Sequence, residues 1–471
     1  MVTLYVVMLF ASGRVTRDFK LDFQRTSAVL SVLEHSQMQG NVLSGAVYTV
    51  MTEPTIIKTS QFPAVEQHRH TEATSAGKLI FLESIRGFGA LAVVFFHTAL
   101  AFFPVLVVAS PDVLRRQSWA VQLVVQTPLS VVYAGKFAVV IFFVLSGFVL
   151  SYSFFLKRDR SVLWSGVVRR YFRLTIPILA STLLAWALLQ TGLCYNQAAA
   201  AISPNVALSD YYHFSPAFVA ALKEGLTSVF YMTDPATTYN PVLWTMKTEF
   251  QGSFLVYGFL LLFGRWRWRW LAYLGLSVAL LVKQQLYGLN FLTGMVICDA
   301  YTSGLLRREK IFTWPVSELS LLLLTGIYLG SYRSAQLPLY GWLTGVKPLA
   351  CHSIGGGLII LTMLFSTRVK AFLSHPWCAW LGKISFALYL VHVPVLFSLG
   401  SFLYCWGHQH GLPPTVVLTA IVVTEVGVSL MVAWAFYLWI ERPVLRTGKR
   451  VSRFFEEKRL QKQSAKPKAQ D

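Results

Sequence analysis

Arg86 and His97 stand eleven positions apart in the apolar stretch Lys78–Val108. Between them run Gly87, Phe88, Gly89, Ala90, Leu91, Ala92, Val93, Val94, Phe95 and Phe96, nearly all suited to lipid. An ionisable side chain at membrane depth is costly, so it normally faces the protein interior and marks function. At about 100° per residue, eleven positions return almost to the starting angle, so both side chains share one helix face. They lie roughly 16 Å apart at about 1.5 Å of rise per residue. A guanidinium offers a planar fork of donors to phosphate or carboxylate, and an imidazole moves protons near neutral pH. The spacing therefore suits a long ligand with an anionic head at one end and reacting atoms at the other.

Three further clusters carry chemistry. In Val168-Arg169-Arg170-Tyr171-Phe172-Arg173-Leu174, Arg170 and Arg173 are three positions apart and share a face. They sit at the entrance of a span, level with Arg86, where three arginines would bind a polyanion. Anchoring by positive charge explains the same cluster. In the run from Asn240 to Ser253, Pro241 suits a first helical turn, and Thr245, Glu249 and Ser253 form a polar stripe. Glu249 is deep enough to need a partner, either Lys247 or an arginine on a neighbouring helix, unless its role is catalytic. From Leu381 to His392, the residues Ser385, Tyr389 and His392 again share a face. His392 is either a packing residue or a second histidine lining one cavity with His97. Glu441-Arg442-Pro443 reads as a helix stop.

The elements that must hold these groups are membrane helices. The chain has 471 residues, 55% hydrophobic and only 13% charged, with mean hydropathy +0.54. A soluble chain would carry about 25% charge. Hydropathy gives about ten spans at roughly 20 residues each, centred on 79–108, 131–155, 174–192, 241–263, 270–283, 286–305, 315–332, 349–366, 377–404 and 415–440. The expected fold is an all-α polytopic membrane protein. Its net charge of +20 falls mostly in alternate short loops, among them Arg158, Arg160, Arg265, Arg267, Arg307 and Arg368. By the positive-inside rule those loops and both termini are cytosolic, and nucleic acid is not the expected partner.

Residues 1–77 read as a poorly ordered cytosolic extension, 78–445 as the membrane domain, and 446–471 as a basic tail drawn to anionic headgroups. Cys194, Cys298, Cys351, Cys378 and Cys405 show no metal-ligand spacing. Cys194 and Cys405 share the non-cytosolic side, where either a disulfide or two buried thiols would fit. The segment Gly192–Asn240 is either a gate for a second substrate or a packed loop. No metal is expected.

The ordered motifs resemble those of the acyltransferase 3 family of integral membrane O-acyltransferases, in the form carried by fungal members. Phe81-Leu82-Glu83-Ser84-Ile85-Arg86-Gly87 through His97 is similar to the first-helix signature. Phe142-Phe143-Val144-Leu145-Ser146-Gly147-Phe148 is similar to the second-helix motif, and Arg170-x-x-Arg173 to the paired arginines. Leu243-Trp244-Thr245 with Glu249-Phe250-Gln251-Gly252-Ser253 resembles the fourth-helix motif. Leu381–His392 and Ile440-Glu441-Arg442-Pro443 complete a match over about 78–445. Glu83-Ser84 departs from the usual Asp-Gly, and Gln251 stands where an arginine is common; these departures bear on acceptor contacts.

The resemblance implies a ten-helix domain that moves acyl groups, usually acetyl from acetyl-CoA or another acyl-CoA co-substrate, onto hydroxyls. His97 would be the catalytic residue, and Arg86, Arg170 and Arg173 would engage CoA phosphates. Glu249 or His392 would orient His97 or help bind the acceptor. The expected acceptor is a small-molecule or lipid hydroxyl, as in secondary-metabolite tailoring, and an endomembrane is the expected location. A permease using the same buried charges is the competing class. It needs a polar path to the far face, whereas the charges here cluster in the cytosolic half.

Overall fold

The computed structural model describes residues 80–450 apart from 109, 203–204, 233, 307–314, 335 and 449. The expected N-terminal extension and nearly all of the basic tail lie outside the described residues. Within them the chain is helical, and each of the ten apolar segments contains at least one helix, of which the longest is numbered here. These are α1 (Ile80–Phe102), α2 (Gly135–Lys157), α3 (Ser161–Gln190), α4 (Trp244–Phe263) and α5 (Arg269–Val282). Then follow α6 (Leu286–Thr302), α7 (Val316–Ser331), α8 (Pro348–Phe365), α9 (Pro376–Val395) and α10 (Pro414–Phe436). Among the described residues, six helices are long and apolar enough to cross a membrane: α1, α2, α3, α8, and the extended forms of α9 and α10. Helices α5 and α7 are shorter apolar segments. Helix α4 carries Lys247 and Glu249, and α6 carries Asn290 and Asp299. The protein is a multi-pass membrane protein.

Two boundaries differ from the sequence reading. Helix α3 begins at Ser161, not near residue 174, so Arg170 and Arg173 stand inside it instead of at its mouth. The extra turns are amphipathic, so a hydropathy reading passes over them. Pro443 does not end the last helix, which continues to Gly448. A π turn over Tyr437–Glu441 precedes the proline, and such a bulge re-registers the backbone hydrogen bonds that the proline would otherwise break. A second π turn, Leu396–Gly400, follows Pro394 and carries α9 on into Ser401–Gln409.

Close approach of backbones fixes the site. Helices α1 and α9 run parallel, and a methyl on Gly87 would lie 2.7 Å from the Leu381 backbone, while one on Gly382 would lie 2.6 Å from that of Glu83. Only hydrogen at both positions permits this distance. Two apolar clusters flank the contact. One gathers α1, α3, α9 and α10 around Val94, Ile178, Leu388 and Ile421; the other gathers α2, α4, α6 and α8 around Val144, Phe148, Phe291 and Ile360. The segment between α3 and α4 folds into short helices held by Asn196 Nδ2 on Leu208 O at 2.9 Å, Asn205 Nδ2 on Leu100 O at 2.6 Å and Tyr212 Oη on Tyr239 O at 2.7 Å. It is a packed cap.

Candidate active site

Where the two clusters meet lies a cavity of about 570 Å³, the open solvent at its mouth included. Arg86, Arg170 and Arg173 line it together with Glu249, and Thr245, Ser385 and Tyr389 line its deeper part. Phe142, Phe143, Met246 and Phe386 form apolar walls. Thus α1, α3, α4 and α9 all deliver the polar faces that their spacing predicts.

Arg170 and Glu249 are both buried and form an ion pair across α3 and α4. Ser146 Oγ of α2 donates to Glu249 Oε1 at 2.5 Å, and Arg170 Nε donates to Ser253 Oγ at 3.1 Å. Ser253 Oγ in turn donates to the Glu249 carbonyl at 2.7 Å. The partner required by the depth of Glu249 is therefore Arg170, not Lys247. A buried pair of this kind needs its lone pairs and protons satisfied, which the two serines provide. Arg86 and Arg173 are half-buried and make no hydrogen bond or ion pair among the described residues. Glu441, buried on the π turn of the last helix, is close enough to act on both electrostatically.

The histidines meet at the deeper level of the same helices. His392 Nε2 lies 3.1 Å from His97 Nδ1, with ring centroids 5.0 Å apart. His392 Nδ1 is 3.1 Å from Leu388 O, and His97 Nδ1 is 3.0 Å from Val93 O. A carbonyl only accepts, so the neutral His392 ring carries its proton on Nδ1 and accepts at Nε2. His97 must then donate from Nδ1, leaving its Nε2 lone pair uncommitted. The pair lies just beyond the cavity lining. Tyr389 connects the two, since it lines the cavity and its ring centroid is 5.9 Å from that of His392. Its hydroxyl donates to Val242 O at 3.0 Å and shares a hydrogen bond with Thr245 Oγ1 at 2.8 Å.

All six sequence-predicted site residues thus fall on one connected region, in two layers. Arg86, Arg170, Arg173 and Glu249 form the first layer, and His97 and His392 the second. Ser146, Thr245 and Tyr389 join them; the sequence places Thr245 and Tyr389 on polar stripes but gives no signal for Ser146 beyond its motif. The arrangement can hold an anion at the arginines and accept a proton at His97 Nε2. Among the described residues, no group of three or more His, Cys, Asp or Glu is arranged to hold a metal ion. Cys194 and Cys405 are both free thiols.

The sequence pattern of the Acyl_transf_3 family, described as an acyltransferase domain, matches residues 79–439. The chain is 25% identical over 399 residues to an O-acetyltransferase, PaAT-1, of Phomopsis amygdali, covering 72% of this chain and 76% of that protein. It is 25% identical over 245 residues to acyltransferase R4 of a Phoma species, covering 46% of this chain and 52% of the relative. It is 24% identical over 252 residues to acyltransferase clz18 of Cochliobolus lunatus, covering 44% and 50%. The chain thus spans about half the length of the latter two relatives. No solved structure matches. With the motifs in order, the histidine pair facing across α1 and α9, and the family pattern covering nearly all of the helical domain, the chain belongs to the acyltransferase 3 family.

Proposed function

We propose that this protein is an acyl-CoA-dependent O-acyltransferase that moves an acyl group, acetyl in the first instance, to a hydroxyl of a small metabolite. One observation carries the reading: two arginines that make no hydrogen bond or ion pair among the described residues face one cavity, and an uncommitted imidazole nitrogen lies roughly 16 Å deeper by helical rise. An acyl-CoA has matching chemistry, with phosphates at one end and a thioester at the other. Its name as an O-acetyltransferase makes the Phomopsis relative a second support.

Arg86 and Arg173 would take the phosphates, each through charge-assisted hydrogen bonds. Arg170, held by Glu249, adds positive potential from the wall. Phe142, Met246 and Phe386 would flank the pantetheine arm and keep water from the thioester. His97 Nε2 then takes the proton of the acceptor hydroxyl as that oxygen attacks the thioester carbon. The tetrahedral intermediate collapses with cleavage of the carbon–sulfur bond, and the imidazolium returns its proton to the departing thiolate. His392 keeps the His97 proton on Nδ1 throughout. Ten crossings with cytosolic basic loops and cytosolic termini would open the arginine end to cytosolic acyl-CoA.

The test is acetyl-CoA binding and CoA release by purified protein in detergent, wild type beside His97→Ala and Arg173→Ala. Binding retained but release lost in the histidine variant, and binding weakened in the arginine variant, support the reading. A folded wild-type protein that neither binds acetyl-CoA nor releases CoA overturns it and favours the permease.

A further inference from the structure

Pro394 has no backbone N–H, so the carbonyl four residues back in α9, Leu390 O, loses its regular helical donor. Side chains of two other elements fill the gap. Asn240 Nδ2 donates to Leu390 O at 2.7 Å, and Ser181 Oγ of α3 donates to it at 3.0 Å. Asn240 and Ser181 are themselves 2.7 Å apart, and both are 0% exposed. The other end of Asn240 is fixed as well: its Oδ1 accepts from Val242 N at 3.4 Å, in the short 3-10 turn that leads into α4. The node thus ties α3, α4 and α9 together at the level of the histidines, two residues before His392.

A carbonyl left bare in this interior is destabilising, and one donor is enough to avoid that. Ser181 supplies one. The second donor does something else: with Ser181, it pins the carbonyl in two directions and so sets the rotation of α9 at the proline. That rotation decides where His392 Nε2 meets His97, a contact resting on a single 3.1 Å hydrogen bond. A displacement of about 1 Å at a reacting group can cost about a hundredfold in rate.

We infer that Asn240 is a positioning residue for the histidine pair: its amide holds the proline-freed carbonyl of Leu390 and thereby fixes His392 against His97. The inference rests on the acyltransferase reading above. Asn240→Asp, assayed at a pH where its carboxyl is ionised, separates its two jobs, because the carboxylate keeps the acceptor for Val242 N–H and removes the donor. Acetyl-CoA affinity and the turnover number for CoA release are measured side by side for wild type, Asn240→Asp, Asn240→Ala and Ser181→Ala. The expected result is a turnover number lowered about tenfold or more in both Asn240 variants, with acetyl-CoA Kd within about twofold of wild type. Ser181→Ala, which leaves the amide in place, should lose less than about threefold. Turnover of the Asn240 variants near that of wild type overturns the inference. So does joint loss of turnover and acetyl-CoA binding, or failure to yield folded protein, because Asn240 then serves the fold alone. If wild type itself binds acetyl-CoA but releases no CoA, the failure belongs to the proposed activity and not to the role of Asn240.

Discussion

Gly87 and Gly382 pack backbone against backbone, and ten residues beyond each of them stands one histidine of the facing pair. The equal offset is what parallel helices require: a contact at one level repeats at the next after the same rise on both chains. The glycine contact is therefore the datum from which the distance between His97 and His392 is set.

Substituting Gly382 by alanine tests that relation. Its methyl would lie 2.6 Å from the Glu83 backbone, so α1 and α9 must separate. Overpacking of this kind costs about 1–3 kcal/mol. Turnover should fall by more than the loss of thermal stability explains. Gly258→Ala in α4 is the control, since a methyl there meets nothing within 4 Å. It should raise stability by up to about 1 kcal/mol through helix propensity, with turnover unchanged.

His97→Ala should abolish acyl transfer, by about a hundredfold to ten-thousandfold, the range for a lost general base. Acetyl-CoA binding, measured by calorimetry, should persist because the arginines are untouched. The sign of the pH dependence follows from the same atom. Nε2 must be unprotonated to accept a proton, so the rate falls on the acid side.

Arg86→Ala and Arg173→Ala should each weaken acyl-CoA binding about tenfold to a hundredfold, from a loss of about 1.5–3 kcal/mol per charged hydrogen bond. The turnover number at saturation should change much less. Salt should weaken wild-type binding more than that of either variant, because fewer charges remain to be screened. A titration of acetyl-CoA at two ionic strengths reads both effects.

Glu249→Gln should destabilise the protein by about 3–5 kcal/mol, because Arg170 keeps its charge in a buried site without its carboxylate. The double substitution Arg170→Met with Glu249→Leu should regain most of that stability, since it removes both charges. Thermal unfolding in detergent measures both. Acyl-CoA affinity should not return with stability in the double variant if the Arg170 charge serves the cavity.

Much of this arrangement is legible in the sequence because it repeats within single helices. The eleven-residue offset of Arg86 and His97, the Thr245-Glu249-Ser253 stripe and the Ser385-Tyr389-His392 face are all statements about one helix at a time. What joins helices is not legible in that way. That Glu249 needs a partner follows from its depth, but that the partner is Arg170 depends on the crossing of α3 and α4. The start of α3 at Ser161 escapes a hydropathy reading because its first turns are amphipathic. The π turns beside Pro394 and Pro443 leave no composition signature. Asn240 looks like an ordinary helix cap until the carbonyl freed by Pro394 is placed beside it.

Helix α3 has 30 residues and the helix Pro414–Gly448 has 35. At about 1.5 Å per residue they measure roughly 45 and 52 Å, against a hydrocarbon thickness of about 30 Å. Gly448 packs beside Arg169, so both excess lengths project at the same end, next to the mouth of the arginine chamber. With the span arrangement proposed above, the mouth would lie in the zone of lipid headgroups, already wet and already populated by phosphate esters. A polyphosphate docking there keeps much of its hydration, and only the uncharged arm of such a ligand has to be drawn down among the helices. On the proposed function, membrane thickness becomes a variable of catalysis: a thicker bilayer would submerge the mouth and slow the binding of acyl-CoA while leaving the chemistry beneath it unchanged.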